Sequence, residues 1–410
     1  AQSKEYRAKY NADRVRALGS VWMGATLGCA ECHAHKFDPY DEKDFYRFAA
    51  FFADIEEEDV YGDSAWRPIL RLTNEEQAAK IKQFDADIET LENQLRQVNM
   101  ETQYGAKAWL DQWRSDPENA LQQWIPLIPT SMTSENNGTF ILKDDLSILS
   151  VGLDAPQDVY QFKFKSDLPE ITSLRFDIMD HPSFHNGLSR YRSRTQLNEC
   201  EITYQTPDMP EAKSVKIIGD YFSNNFNKNS IRSTYDNDMI TNWRRGADRT
   251  PFSWMYLFDT PILGDKDTVI TIRMHYLGIA TGDRAAFGRI RVSATQNEQP
   301  NITNPVGLPH SIALAVAAKR PLTIKEQAIG LGYFLSSDPQ REDTRKQLAK
   351  LHTEKRTFKK SLPYTLHTVA LPIPRDIRVL PRGDWQDDSG PLVEPGVPKF
   401  LHTLKTTNDR

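Results

Sequence analysis

The stretch GCAECHAHKFDP, residues 28–39, places two of the chain's three cysteines and two of its nine histidines within twelve positions. Its centre, Cys29-Ala-Glu-Cys32-His33, has the C-x-x-C-H spacing used for covalent haem attachment. Two thiols with two residues between them reach the two vinyl groups on one haem edge. The adjacent imidazole can then turn beneath the porphyrin as the proximal iron ligand. Two other readings share the spacing. A structural zinc site wants four protein ligands and usually a second pair, whereas Cys200 is the one thiol left over. A redox disulfide between Cys29 and Cys32 would normally follow a thioredoxin-like strand, and none precedes it. The spacing favours haem over zinc and over a disulfide. His35, two positions past His33, points away from the same iron in a helix or turn. It is expected to bond a propionate or carboxylate beside the haem, or to be a structural histidine.

Outward from the motif, helices are expected on both sides. From Lys4 to Leu27 apolar residues recur at helical spacing, with Tyr6, Tyr10, Val15, Leu18, Trp22 and Ala25 on related faces. Met23 on this helix is too close along the chain to reach the opposite haem face. After the motif, DPYDEKDFYRFAAFFADI (38–55) offers Asp38 as a cap, Pro39 in the first turn and an apolar face of Phe45, Phe48, Ala49 and Phe52. EEED at 56–59 reads as a solvated loop rather than a calcium site, since nothing fixes the ligand spacing.

Composition sets the wider frame. At 410 residues the chain exceeds one compact core, and 39% hydrophobic with 26% charged residues describes a folding, globular sequence. A formal charge of -5 supplies no broad positive field, so nucleic acid is not expected as a partner. The longest apolar candidate, near SIALAVAAKRP (311–321), is too short to span a bilayer. The opening AQSKEYRAKYNADRVR is too charged for the core of a signal peptide, so any export signal is expected upstream or already removed. Three cysteines make no disulfide framework.

The remaining chain reads in three parts. TNEEQAAKIKQFDADIETLENQLRQV (73–98) opens with a capping box, Thr73 with Glu76. It then spaces Ile81, Phe84, Ile88, Leu91, Leu95 and Val98 as a coiled-coil seam. A shorter helix carrying Trp109, Leu110 and Trp113 is expected to fold back on it as a helical hairpin. From Trp124 to about Thr295 short alternating strands follow, among them DVYQFKFKS, SLRFDIM, ECEITYQT, TVITIRMHYL and GRIRVSAT. They imply an antiparallel β-sandwich, jelly-roll-like. Helical period returns in TIKEQAIGLGYFL (323–335) and REDTRKQLAKLHTEKRTFKK (341–360). The proline-rich 371–401 reads as a connector that wraps over something else.

The expected class is therefore multidomain α+β. Residues 1–72 form a helical haem c segment, 73–120 the helical hairpin, 121–298 the β-sandwich, and 299–410 a helical and irregular region that begins a C-terminal domain. Within the sandwich, Trp243, Trp254 and Tyr256 could stack on sugar rings, although core positions are the simpler reading. His181 and His185 with Asp180 could offer a metal pair, but Pro182 argues against the helix it needs. No G-x-S-x-G elbow, phosphate loop or dinucleotide fingerprint occurs.

The segment DRVRALGSVWMGATLGCAECHAHKFDPYDEKDFYRFAAFF (13–52) resembles the haem-motif region of the planctomycete cytochrome C domain-containing proteins, large exported proteins with domains of unknown function. Cys29, Cys32, His33, His35, Lys36, Asp38, Pro39 and Tyr46, or its neighbour Phe45, stand at the matching positions. GLDAPQDVYQFKFKSDLPEITSLRFDIM (152–179) and FGRIRVSAT (287–295) resemble that family's β domain. IPRDIRVLPRGDW (373–385) with VEPGVPKFL (393–401) resembles the start of its last domain. The chain begins late in the family's haem-bearing domain and stops early in the last one, so it is expected to be a fragment. The loop DHPSFHNGLSRYRSRTQLNE (180–199) departs from the glycine-rich loop common in the family. Before IPRDIRVL the family often has methionines and this chain has YTLHTVAL (364–371), which makes His367 a candidate distal iron ligand.

The resemblance implies an exported, periplasmic c-type cytochrome-like protein. It would carry haem c on Cys29 and Cys32, with His33 as iron ligand, and pass electrons to a redox partner protein, with a link to polysaccharide breakdown. A second chain, or a missing segment of the same protein, would cover the haem. Two alternatives stand beside it: a carbohydrate-binding or scaffold protein whose haem or metal is structural, with a glycan as partner, and a haem-dependent oxidoreductase with an open iron site.

Overall fold

The computed structural model describes residues 3–401 apart from 56–68, 137, 153–156, 185–187, 190–194, 224–230, 246–249, 265–266, 278–285, 369 and 372–373. The fold is mixed α+β, with helices at both ends of the chain and antiparallel sheets between them. It divides into two units. One joins residues 1–73 to 362–410, and the other comprises 74–361. Among the described residues no helix is long and apolar enough to cross a membrane.

The first unit is built on helix Ser3–Leu18 and helix Glu42–Ala49. The first helix does not run on to Leu27 as its periodicity predicts. It widens into a π turn, Gly19–Met23, and stops at Gly24, whose φ of 61° is left-handed. Gly24 and Ala25 both donate their N–H to the Gly19 carbonyl, Ala25 at 2.9 Å, which closes the turn. Gly19 must be glycine, because a Cβ there would stand 2.9 Å from the Ala25 carbonyl oxygen. The second helix is capped by Asp41, not Asp38. Asp41 accepts the Asp44 N–H at 2.8 Å and Asp44 answers the Asp41 N–H. Val15, Leu27, Ala30, Phe45, Phe48, Ala49 and Val393 share the core. Each large side chain buried there contributes about 2 kcal/mol.

The proline-rich C-terminal segment wraps these helices. Strand Tyr364–Leu366 pairs with Ile69–Arg71, the Arg375 N–H donates to the Ala53 carbonyl at 3.0 Å, and Ile377–Arg378 pairs with Leu392–Val393. Ile377, Val379 and Leu380 pack on the same core.

The second unit centres on two antiparallel sheets. One runs in the order Lys213–Ser214, Glu199–Gln205, Thr268–Tyr276, Asp158–Ser166, Pro129–Ser134. The other runs Ile217–Phe222, Phe252–Leu263, Glu170–Ile178, Arg289–Thr295, Ile148–Gly152, Gly138–Leu142, with Ile125–Pro126 also on Arg289–Thr295. Their inner residues form one apolar core. Phe140 meets Tyr160 edge to face at 4.9 Å between the sheets, and Phe176 stacks on Trp254 at 4.9 Å. Trp243, Trp254 and Tyr256 are all inside this core, which is the simpler of the two readings above.

The helices of this unit pair differently from the expected hairpin. Helix Glu75–Arg96, capped by Asn74 with Gln77 rather than by Thr73 with Glu76, lies along helix Glu342–Ser361. Phe84 meets Phe358 at 6.0 Å, Lys355 pairs with Asp85, and Arg341 donates to the Gln94 and Leu95 carbonyls at 2.8 and 2.6 Å. Helix Met100–Ser115 packs instead on Ile324–Ser337, where Trp109 meets Phe334 at 5.8 Å.

Candidate functional site

The motif lies on a single turn of 3₁₀ helix, Leu27–Glu31, with Cys32 as its C-cap. A 3₁₀ helix has three residues per turn, so positions three apart stand above one another. Three rows result, and each has its own use. Leu27 and Ala30 are buried in the core of the first unit. Gly28 and Glu31 face Arg16, which forms an ion pair with Glu31, while a Cβ on Gly28 would stand 3.4 Å from the Arg16 Nε. Cys29 and Cys32 form the third row, and both are exposed, free thiols. The core holds one row and Arg16 engages the second, which leaves the third presented to solvent.

His33 follows on the exposed side, and its Nδ1 lies 2.8 Å from its neighbour's carbonyl, Ala34 O. A carbonyl can only accept, so Nδ1 carries a proton, and in the neutral ring the lone pair then falls on Nε2. A neutral imidazole in this tautomer is a ready metal ligand, oriented by the bond its other nitrogen makes.

His35 is placed differently. Its side chain is nearly buried, its Nδ1 accepts the Asp38 N–H at 2.9 Å, and its Nε2 lies 3.3 Å from the Thr26 hydroxyl. Both ring nitrogens are engaged within the loop, and the backbone N–H of His35 donates to the Tyr40 carbonyl at 2.8 Å. His35 thus shapes the loop 33–41 that follows the motif.

Two residues that the spacing does not point to complete the surroundings. Gly383, with a φ of 73°, packs against Cys32, where a Cβ would come within 2.7 Å of the thiol sulfur. Tyr46 donates its hydroxyl to the Glu31 carbonyl at 3.1 Å and lies 3.4 Å from the Leu380 carbonyl. Burial, with Glu31 and Cys32 beside it, pushes the Tyr46 phenol up, so it stays protonated as a donor. Partial burial and the Glu31 and Glu42 carboxylates raise the Cys32 thiol as well.

The surface flanking the motif is apolar. Val21 and Trp22, in the π turn before it, are 72% and 81% exposed, and Phe37, in the loop after it, is 84% exposed. Large apolar side chains left exposed on both sequence flanks of the motif are unusual for a surface that only meets water. Among the described residues no three His, Cys, Asp or Glu side chains converge as a metal cluster.

The other candidates stand on other elements. His367 is exposed, just beyond strand Tyr364–Leu366. Cys200 is buried in strand Glu199–Gln205, where burial drives its thiol strongly upward and leaves it unreactive. His181 bonds Ser183 at 2.7 Å, and burial beside Arg289 lowers it to about 4. His185 and the acidic run 56–59 lie outside the described residues.

Comparison with known proteins reaches the motif and little beyond it. No curated protein matches the chain. Residues 1–57 match the model of a planctomycete cytochrome-associated family, PSCyt2, described as a protein of unknown function (DUF1549).

Proposed function

We propose that this chain belongs to an exported c-type cytochrome-like protein that holds haem c through thioether bonds to Cys29 and Cys32, with His33 Nε2 on the iron, and passes electrons to a partner protein. The observation that carries this reading is the turn Leu27–Glu31. It sets two free thiols on one exposed row, directly before a histidine whose Nδ1 is committed to Ala34 O at 2.8 Å. Haem bound there would supply a one-electron centre. The chain's own part is to space the thiols, fix the histidine tautomer and offer Val21, Trp22 and Phe37 as apolar cover. The match of residues 1–57 to a cytochrome-associated family supports the same reading.

The test is a visible spectrum and an intact mass of the protein produced with a haem c maturation system in an exporting host. A Soret band that persists after acid–acetone extraction, together with a mass raised by one haem, is expected. Loss of both on extraction would overturn the proposal. Carbon monoxide binding to the reduced form separates an open iron site, as an oxidoreductase needs, from a six-coordinate electron carrier. A His367→Ala variant tests the sixth ligand. A change from low-spin to high-spin iron assigns it to His367, and an unchanged spectrum removes His367 from that role.

A further inference from the structure

Within the first unit a closed circuit of contacts ties the Cys32 thiol to the C-terminal segment. Tyr46 is buried on helix Glu42–Ala49, and its hydroxyl reaches carbonyls on two segments far apart in sequence. One is that of Glu31, directly before Cys32, at 3.1 Å, and the other is that of Leu380, at 3.4 Å. Both carbonyls only accept, so the one O–H serves the turn and the C-terminal segment together. The Leu380 carbonyl also accepts the Gly383 N–H at 2.9 Å, which closes the turn Pro381–Gly383. Gly383 then lies across Glu31 and Cys32. A Cβ on it would stand 2.7 Å from the Cys32 sulfur and 3.8 Å from the Glu31 carbonyl oxygen.

The two ends of the circuit are held differently. The helix of Tyr46 is anchored by its Asp41–Asp44 capping box and by Phe45, Phe48 and Ala49 in the core, so the hydroxyl is a fixed reference. Leu380 packs on the same core, but the turn after it buries no residue. Hydrogen bonds rather than burial therefore keep that turn on the sulfur. The contacts of the circuit fall on Glu31 and Cys32, not on Cys29.

We propose that Tyr46 is a positioning residue for the Cys32 thiol: its hydroxyl holds the turn Pro381–Gly383 on the sulfur and so sets the side from which Cys32 meets a haem vinyl group. The identity of that reaction partner rests on the haem reading above. The inequality of the two thiols rests on the contacts alone. In the attachment step the Cys32 S–H adds across the vinyl double bond. Sulfur bonds to the carbon next to the porphyrin, the proton goes to the terminal carbon and the π bond is consumed, so no outside oxidant or reductant enters. A sulfur closed on one side by Gly383 presents its other side to that carbon, and a sulfur released from Gly383 loses the direction.

Tyr46→Phe keeps the ring and removes the hydroxyl. In the haem-free 410-residue chain, limiting iodoacetamide followed by peptide mass spectrometry gives the ratio of Cys32 to Cys29 alkylation. The variant is expected to raise that ratio about threefold, since losing one hydrogen bond lets the turn open more often. An unchanged ratio, or an equal rise at both thiols, would overturn the proposal, because a general loosening of the fold moves both. With haem matured onto the chain, Tyr46→Phe should shift the reduced α band toward longer wavelength, as Cys32→Ser does, because a fraction of the molecules keeps one vinyl group. A wild-type band in the variant would also overturn it. If the wild type takes up no covalent haem, the haem reading fails, and the alkylation ratio still decides for or against Tyr46. Should Tyr46→Phe not fold, Asp388→Asn frees the C-terminal segment from Lys4 at exposed positions and carries the same alkylation criterion.

Discussion

Gly383 packs against Cys32 so closely that a Cβ built on the glycine would lie 2.7 Å from the thiol sulfur. The contact joins the C-terminal segment to the Cys-x-x-Cys-His turn, and it needs both the missing side chain and the positive φ of 73°. Gly383→Ala is expected to cost about 1–3 kcal/mol, from the clash and the left-handed backbone together. It should also change the alkylation rate of Cys32 measured in a Cys29→Ser background. Thermal melts and iodoacetamide kinetics check both. An unaltered rate would show that the segment does not control the thiol.

The two cysteines and His33 are predicted to fail in distinguishable ways. If haem c is attached as proposed, Cys29→Ser or Cys32→Ser would leave one vinyl group conjugated with the porphyrin, so the reduced α band should move to longer wavelength while haem stays covalently bound. On the same proposal His33→Ala would keep both thioethers and lose the proximal nitrogen, so the mass increment of one haem should remain and the spin state should change. Pyridine haemochrome spectra and intact mass on the three variants give the comparison.

Legibility in the sequence followed the range of the physics. Strict alternation marked Asp158–Ser166 and Thr268–Tyr276 almost to the residue. The strand Phe252–Leu263, the longest in its sheet, went unread because FSWMYLFDTPIL is buried along most of its first half and shows no period of two there. The stripe on Glu75–Arg96 announced a helix that needs a partner, but not that Phe358 covers it. Asp38 looked like the cap of the second helix. Its N–H is instead taken by His35 Nδ1, and Asp41, with extended backbone, caps in its place. At the candidate site, Cys29, Cys32 and His33 are neighbours in sequence, and the structure adds the 3₁₀ turn that puts both thiols on one exposed row. The approach of Gly383 and the Tyr46 bonds are tertiary and left no local signal.

Asp177 anchors the charged part of the second unit. It is nearly fully buried and holds Arg175 at 2.7 Å, Arg291 at 3.0 Å and the Ser253 hydroxyl at 2.5 Å. Asp177→Ala would remove the carboxylate that Arg175 and Arg291 share and is expected to cost about 3–5 kcal/mol in denaturant unfolding. Burial alone would raise this carboxyl, but Arg291 and Arg175 outweigh it and hold it below the usual range. Its stabilisation is present above the ordinary carboxylate range and is lost as pH falls toward the depressed folded-state value. The wild type should weaken on acidification, and the variant should show less of that slope.

Glu199 should act in the opposite direction and in a different window. Its side chain is buried, its Oε2 has no hydrogen-bond partner among the described residues, and burial together with Asp236, Glu201 and Asp238 pushes it up to about 7. Between the ordinary value of 4.5 and about 7 the folded chain binds more protons than the unfolded one. Stability therefore falls as pH rises through that interval, and the penalty is complete above it. Glu199→Gln removes the charge at nearly constant shape. It is expected to stabilise the protein on the order of 1–3 kcal/mol at about pH 8 and to change little at about pH 4. Urea unfolding at both pH values measures this. Because the Asp177 slope lies on the acid side of the ordinary carboxylate range and the Glu199 slope above it, the single variants assign the two limbs separately. A Glu199→Gln chain that still loses stability between pH 5 and 7 would place the titrating group elsewhere.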